Sequence, residues 1–263
     1  MSLVRCPERC NHDQVAQLTT DNRQRTRPKM KSSTPLPAAL IFDMDGVLVD
    51  SNPFHLRKWI ELLNEHGIPY DPKELPSQIL GHRNDTAFRR FFGPDITREE
   101  SRRLSEELEA RFREEFKPYA KPLPGLKALI EESHRAGIPM AVASSAMTKN
   151  VEFVVDALGF RPYFRHLVTG DEVSHAKPDP EIYLKAARKL DCEPAASVAF
   201  EDSFVGIEAA KRAGMKCVAI ASTFPFEELE KQTRADLTVT GFEEVDLERL
   251  GLLFKDAPRP AGP

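Results

Sequence analysis

The stretch Ile41-Phe42-Asp43-Met44-Asp45-Gly46-Val47 decides how the rest of the chain is read. It is a short apolar run ending in two carboxylates two residues apart, and the period-two geometry of a strand points both toward one site as the strand terminates. Gly46 directly after them takes positive φ without steric penalty, so the loop is free to pass close to a bound ion. An Asp carboxylate in such a place attacks phosphorus to form an aspartyl phosphate, dividing one difficult displacement into two easier ones. Asp43 is the candidate nucleophile. Asp45, one step farther out, is the candidate general acid and base, a role that calls for a raised pKa. A calcium loop of the EF-hand kind does not fit. Counted from Asp43, the sixth and twelfth positions are Leu48 and Phe54, where Gly and Glu are needed.

Outward from this stretch, short β-rich apolar runs alternate with helical patterns. Ala38 to Phe42, Met140 to Ala143, His166 to Thr169, Ser197 to Phe200 and Lys216 to Ile220 read as strands; Thr148 to Leu158, Pro180 to Leu190 and Ser203 to Ala213 read as helices. The fold class is α/β, a Rossmann-like parallel sheet wrapped in helices. A long interruption separates the first two strands, and in it Phe54 to His66, Asn84 to Phe92 and Arg98 to Phe116 have helical spacing with no obvious strand. An insertion this long and this helical is a second small domain. The expected organisation is a core over residues 37–51 and 122–250 and a helical cap over 52–121. Hinges are expected near Ser51-Asn52-Pro53 and in Lys117 to Gly125.

The ends read as flexible tails, 1–36 and 251–263. The first is polar, crowds Arg23, Arg25, Arg27, Lys29 and Lys31 before a Pro/Ser-rich stretch, and is expected to be dispensable over residues 1–29. The 263 residues, 41% hydrophobic and 30% charged, bury a core without disulfides or metals to staple it. With 41 acidic against 37 basic residues, the net charge of −4 carries no footprint for nucleic acid or an anionic membrane. A small phosphorylated metabolite is the expected partner, with the protein a monomer or weak dimer. The four cysteines form no secreted disulfide framework, and no apolar run is long enough to span a membrane, so a cytoplasmic location is expected.

A phosphoryl-transfer site also needs a cation, a lysine and hydroxyl or N–H donors to neutralise phosphate. Val142-Ala143-Ser144-Ser145 is a strand running into hydroxyls just before a helix, which holds an anion by O–H and helix N-terminal N–H groups; Ser144 is the preferred contact and Ser145 the second. Lys177-Pro178-Asp179-Pro180 supplies a cation on a stiffened loop. Glu201 and Asp202 bring two more carboxylates to the same sheet edge and suit a hard, oxygen-seeking ion such as Mg2+. Each signal alone also fits an ordinary turn or helix cap. Their fall at successive strand ends, where open parallel sheets bind ligands, raises them together.

These residues resemble the haloacid dehalogenase-like superfamily, in the branch that holds β-phosphoglucomutase and small sugar-phosphate phosphatases. The resemblance covers about Ala38 to Phe224, with Asp43 to Ser51 as first motif, Ser144 as second, Lys177-Pro178 as third and Glu201-Asp202-Ser203 as fourth. It implies Asp43 as nucleophile, Asp45 as acid/base, Ser144 and Lys177 on the transferring phosphate, and Mg2+ held by Asp43, the Asp45 carbonyl, Asp202 and Glu201. It also implies a helical cap after the first motif. In that cap His55 either approaches the acid/base or packs as part of a half-buried helix face with Trp59. Arg83 and Asn84, in the loop Leu80 to Asp85, either reach the substrate or are solvated. Asn84 stands where the mutases carry arginine, which favours hydrolysis. A phosphatase is the first expectation, a β-phosphoglucomutase-type mutase the second, and a non-catalytic phosphometabolite binder the third.

Overall fold

In the computed structural model, which describes residues 35–255, β1 (Ala39–Phe42) leads into the helical insertion: α1 (Asn52–Glu65), α2 (Leu75–Ile79), α3 (Asn84–Phe92) and α4 (Arg98–Phe116). Then follow α5 (Leu126–Ala136), β2 (Met140–Ala143), α6 (Thr148–Ala157), β3 (His166–Val168), α7 (Glu181–Lys189), β4 (Ser197–Glu201), α8 (Phe204–Arg212), β5 (Lys216–Ile220), α9 (Phe226–Gln232), β6 (Leu237–Val239) and α10 (Leu247–Leu252). The strands form one sheet in the order β3-β2-β1-β4-β5-β6, every pairing parallel. The α/β class expected from the sequence is the class found.

Alternation within β1 assigns the two faces. Leu40 and Phe42 join the apolar cluster under α5, α6 and α10, where Phe42 stacks on Phe200 at 4.6 Å. Ala39 and Ile41 join the opposite cluster under α7, α8 and α9. A strand covered on both faces has no polar side, which is why β1, β2 and β4 read as near-continuous apolar runs.

The inserted helices enclose an apolar cluster of their own around Trp59, Leu63, Phe88, Leu104 and Leu108. Thr97 starts α4 by accepting a hydrogen bond from the Glu100 N–H, so the long helix begins with one orphan donor satisfied. At its other end Phe112 and Phe116 pass into the sheet cluster, so α4 serves both bodies of apolar side chains. The two connections to the sheet lie side by side: Val49 pairs with Pro122, and the Leu123 N–H donates to the Leu48 carbonyl at 3.1 Å.

The C-terminal boundary differs from expectation. Helix α10 crosses residue 250, and Leu253 and Phe254 pack against the sheet cluster, so the apolar spacing of Leu247, Leu250, Leu253 and Phe254 extends the core to where a tail was expected. Residues 256–263 of that tail, and the N-terminal tail up to residue 34, lie outside the described residues. No helix among the described residues is long and apolar enough to cross a membrane.

Candidate active site

The strand order turns back on itself between β1 and β4, and the crevice at such a switch point lies outside the carboxyl ends of the strands. Asp43 follows β1 directly and is fixed there by its N–H donating to the Phe200 carbonyl at 3.0 Å. Glu201 ends β4, Asp202 and Ser203 open the turn into α8, and Lys177 reaches in from the loop before α7. All are buried, the Lys177 side chain at 1% exposure and that of Glu201 at 0%. The Lys177 Nζ donates to Asp43 Oδ1 and Glu201 Oε1, both at 2.6 Å.

Glu201 is satisfied on both oxygens. Its Oε1 also accepts from the Tyr183 hydroxyl at 2.7 Å, and its Oε2 accepts from the Asp202 N–H, the Ser203 N–H and the Ser203 hydroxyl. Gly206 makes room for this carboxylate, since a Cβ there would lie 1.9 Å from Oε1. Asp202 Oδ2 accepts from Asn52 at 2.8 Å and from the Thr223 hydroxyl. Gly46, at φ +75°, leaves the same oxygen space, and an added Cβ would sit 1.9 Å from it.

Burial dominates the electrostatics. It pushes Asp43 up to about 7, against the pull of Lys177 and helped by Glu201 and Asp45. Asp202 rises well above the ordinary range because it is desolvated beside Glu201 and Asp43. Burial alone would depress Lys177, but Asp43 and Glu201 more than offset it and hold the ammonium charged.

Asp45 departs from the raised pKa expected for a general acid. Burial raises it, yet His55, with Nε2 3.1 Å from Asp45 Oδ1, and the Ser51 hydroxyl pull it below its ordinary value. The counterpart is His55, raised to about 9: burial works against its charge, and Asp45 and then Glu109 outweigh it. Each partner thus favours the charged form of the other. His55 touches Asp45 and also packs, its ring stacked on Phe112.

Above these groups lies a cavity of about 720 Å³ between the sheet edge and the inserted helices, lined by Asp43, Asp45, His55, Ser144 and Glu109 among others. The Ser144 hydroxyl, buried, accepts from the Ala146 N–H at 3.1 Å. Three other sequence candidates line the cavity with their polar atoms already engaged. The Ser145 hydroxyl donates to the Gly81 carbonyl at 3.0 Å, which ties the inserted loop to the sheet edge. The Arg83 guanidinium is paired with Asp85 on two nitrogens and reaches the carbonyls of Gly170 and Val173. Asn84 donates to Glu109 at 2.7 Å.

Sequence reasoning missed Tyr183, Thr223, Asn52 and Glu109. Asn52 carried a signal, directly following the first motif; the others are single polar positions whose partners lie far off in the chain.

Asp43, Glu201 and Asp202 offer carboxylate oxygens within 4.8 Å of one another, an all-oxygen donor set that fits a hard divalent cation. Asp43 Oδ2 and Asp202 Oδ1 accept no hydrogen bond among the described residues, whereas Glu201 is saturated.

The chain is 32% identical over 215 residues to a validoxylamine A 7'-phosphate phosphatase of Streptomyces hygroscopicus subsp. limoneus, covering 80% of this chain and 97% of the relative. It is 31% identical over 183 residues to the fructose-1-phosphate phosphatase YqaB of Escherichia coli K12, covering 70% and 96%. A crystal structure of β-phosphoglucomutase from Clostridium difficile superposes with a TM-score of 0.73 at 26% identity, over 83% of this chain and 97% of that one. The match to the haloacid dehalogenase-like hydrolase family model runs over residues 40–220, from β1 to β5 with the insertion between, and the chain belongs to that family of enzymes.

Proposed function

We propose that the chain is a magnesium-dependent phosphatase of a small sugar or polyol phosphate, working through an aspartyl phosphate on Asp43. The observation that carries this reading is the buried cluster in which Lys177 bridges Asp43 and Glu201 beside Asp202, with the Asp45–His55 pair across the same cavity. Asp43, Asp202 and the main-chain carbonyl of Asp45 would hold Mg2+, whose charge offsets the repulsion between carboxylates and phosphate. Glu201, with no oxygen left over, anchors Lys177 and Ser203 instead.

An oxygen of Asp43 bonds to phosphorus as the bond from phosphorus to the sugar oxygen breaks. That oxygen leaves with a proton from Asp45, which Asp45 draws from its imidazole partner. Asp45 then takes a proton from water as the water oxygen bonds to phosphorus and the Asp43–phosphorus bond breaks, releasing orthophosphate and restoring Asp43. Lys177 and Ser144 hold the phosphate oxygens through both steps.

The engaged state of Arg83 supports hydrolysis over mutase chemistry, since a bisphosphate turning over in place needs a cation for the phosphate not in transfer. Helix α4 carries Arg102 and Arg98 on the cavity wall, roughly 10 and 16 Å along the axis from Glu109 at 1.5 Å per residue. A substrate panel therefore includes esters with a second anionic group. With Mg2+, a panel of sugar and polyol phosphates, with β-glucose 1-phosphate and a trace of glucose 1,6-bisphosphate, is followed by phosphorus NMR. Orthophosphate as main product is expected; glucose 6-phosphate formed without orthophosphate would overturn the reading.

A further inference from the structure

Glu109 is a buried carboxylate in the middle of α4, 5% exposed, lining the cavity, and among the described residues no Lys or Arg forms an ion pair with it. Its Oε1 accepts from Asn84 at the start of α3, within the insertion. Its Oε2 accepts from Asn150 in the first turn of α6, on the sheet side, and Asn150 is itself fully buried and held by Arg113. The same Oε2 lies 4.0 Å from His55 Nδ1, while the opposite ring nitrogen of His55 meets Asp45 at 3.1 Å. The flat face of that ring stacks on Phe112, one helical turn from Glu109, at 3.9 Å between centroids and 16° between planes.

These contacts restrict the imidazole differently. Stacking on Phe112 fixes the plane of the ring but does not distinguish it from the ring turned end for end within that plane. An imidazole between two carboxylates is best used with both nitrogens as N–H donors, and turning it over would present carbon to each. At 4.0 Å the Glu109 contact is too long for a direct hydrogen bond, yet in a buried space the attraction of a carboxylate for an N–H group acts over that distance. Asp45 discriminates between the two orientations at Nε2, and Glu109 adds to that discrimination at Nδ1, where stacking has no say. Because one of its oxygens is held from the sheet side by Asn150, its position depends on the insertion being seated on the sheet.

We infer that Glu109 is a positioning residue for the acid/base: it orients His55 toward Asp45, and Asn150 couples that orientation to the seating of the inserted helices on the sheet. The inference rests on the acid/base role proposed for Asp45.

The test uses the full chain with Mg2+ and two esters differing in their need for a proton, p-nitrophenyl phosphate and phenyl phosphate, with the first phosphoryl transfer measured in single turnover. Glu109→Gln keeps the shape and removes the charge. Its transfer rate is expected to fall about tenfold or more for phenyl phosphate and less than about threefold for p-nitrophenyl phosphate, within the range of acid catalysis. In a His55→Ala background, adding Glu109→Gln is expected to change neither rate further, because two residues acting through one contact are not additive. Asn150→Ala is expected to give the same selective defect, smaller in size, and stands in for Glu109→Gln should that variant not fold. Equal losses on both esters, or a full further loss on top of His55→Ala, would overturn the inference while leaving the phosphatase reading intact. Turnover surviving in Asp43→Asn would overturn both.

Discussion

At the carboxyl edge of the sheet, the candidate catalytic and binding groups sit where backbone topology puts them: Asp43 directly after β1, Glu201 at the end of β4, Asp202 next to it, Ser144 directly after β2. Across the cavity, the wall formed by α1, α3 and α4 takes its polar groups from single helix positions, His55, Asn84 and Glu109, brought together by side-chain reach. The first side is closely tied, with Lys177 bonded to two carboxylates and Glu201 accepting five hydrogen bonds' worth of donors from four residues. The second shares its partners, Glu109 accepting from both Asn84 and Asn150. Parallel strands place their loops whatever the side chains do, so the chemistry is set by the fold. The wall depends on which residue stands at each helical position, so it is where one phosphatase can differ from another.

The largest expected effect tests the sheet side at its centre. Asp43→Asn keeps size and one hydrogen-bonding oxygen but cannot form the phosphoryl ester, so kcat should fall by at least about 10^4-fold with the fold retained by circular dichroism. Activity near wild type would show that the buried cluster is structural. Next comes the cation. Chelation should lower turnover by about 10^3-fold or more, and Asp202→Ala should raise the Mg2+ concentration needed for half activity.

Metal removal also makes a pH prediction. Asp43, ordinarily near 3.8, is pushed up to about 7 in the folded chain, so between those values the folded protein holds a proton that the unfolded chain has lost. The unfolding free energy of the chelated protein therefore falls as pH rises through that window. Asp202 adds the same sign, and His55, raised to about 9, extends the decline above 6.5, its contribution being intact below that pH. Asp45, lowered, adds no slope above 3.8. Mg2+ favours the ionised carboxylates and should flatten the curve. Thermal melts across pH 4 to 8, with chelator and with Mg2+, check this; a chelated protein whose melting temperature rises over that range would contradict it.

A smaller effect is expected at Gly46. Adding a methyl group there forces a non-glycine residue into the left-handed region, costing about 1–2 kcal/mol, and drives Cβ into Asp202 Oδ2. Gly46→Ala should lower the melting temperature and also weaken Mg2+ binding by roughly tenfold or more, as displaced ligands do. Loss of stability without loss of metal affinity would separate the loop from the ion.

The same contrast explains what was legible in the sequence. Five of six strands and the helices flanking the site follow from apolar periodicity, and the sheet-edge residues follow from strand ends. Strand β6, Leu237-Thr238-Val239, is too short to show a period, as are the short helices α2, α9 and α10, and α5 carries no motif that marks it out. For Arg83 the sequence leaves substrate contact and solvation both open, because the carbonyls of Gly170 and Val173 that it also meets lie far off in the chain. Glu109 stood among the other acids of α4, and only the approach of Asn150 and His55 distinguishes it. A side chain whose role comes from a distant partner leaves no local pattern.

Arg83 gives the smallest expected effect and the sharpest statement about the wall. If the guanidinium bound a substrate phosphate, Arg83→Ala would weaken a bisphosphate by about 10–100-fold relative to the matching monophosphate, the worth of a charge-assisted, two-pronged contact. In the structure the prongs go to Asp85, and a third nitrogen contact joins the inserted loop to the Val173 carbonyl at 3.0 Å. Removing the side chain should then loosen the seating of the insertion alike for every substrate. The expected outcome is a KM raised at most about threefold, with the same factor for mono- and bisphosphates, and a stability change within about 1 kcal/mol, as for other partly exposed ion pairs. Steady-state kinetics on a matched ester pair, such as fructose 1-phosphate and fructose 1,6-bisphosphate, read the ratio directly. A ratio that moves tenfold in Arg83→Ala would mean that Arg83 exchanges Asp85 for the substrate, and the wall would then hold a phosphate site of its own beside the one proposed at the sheet edge.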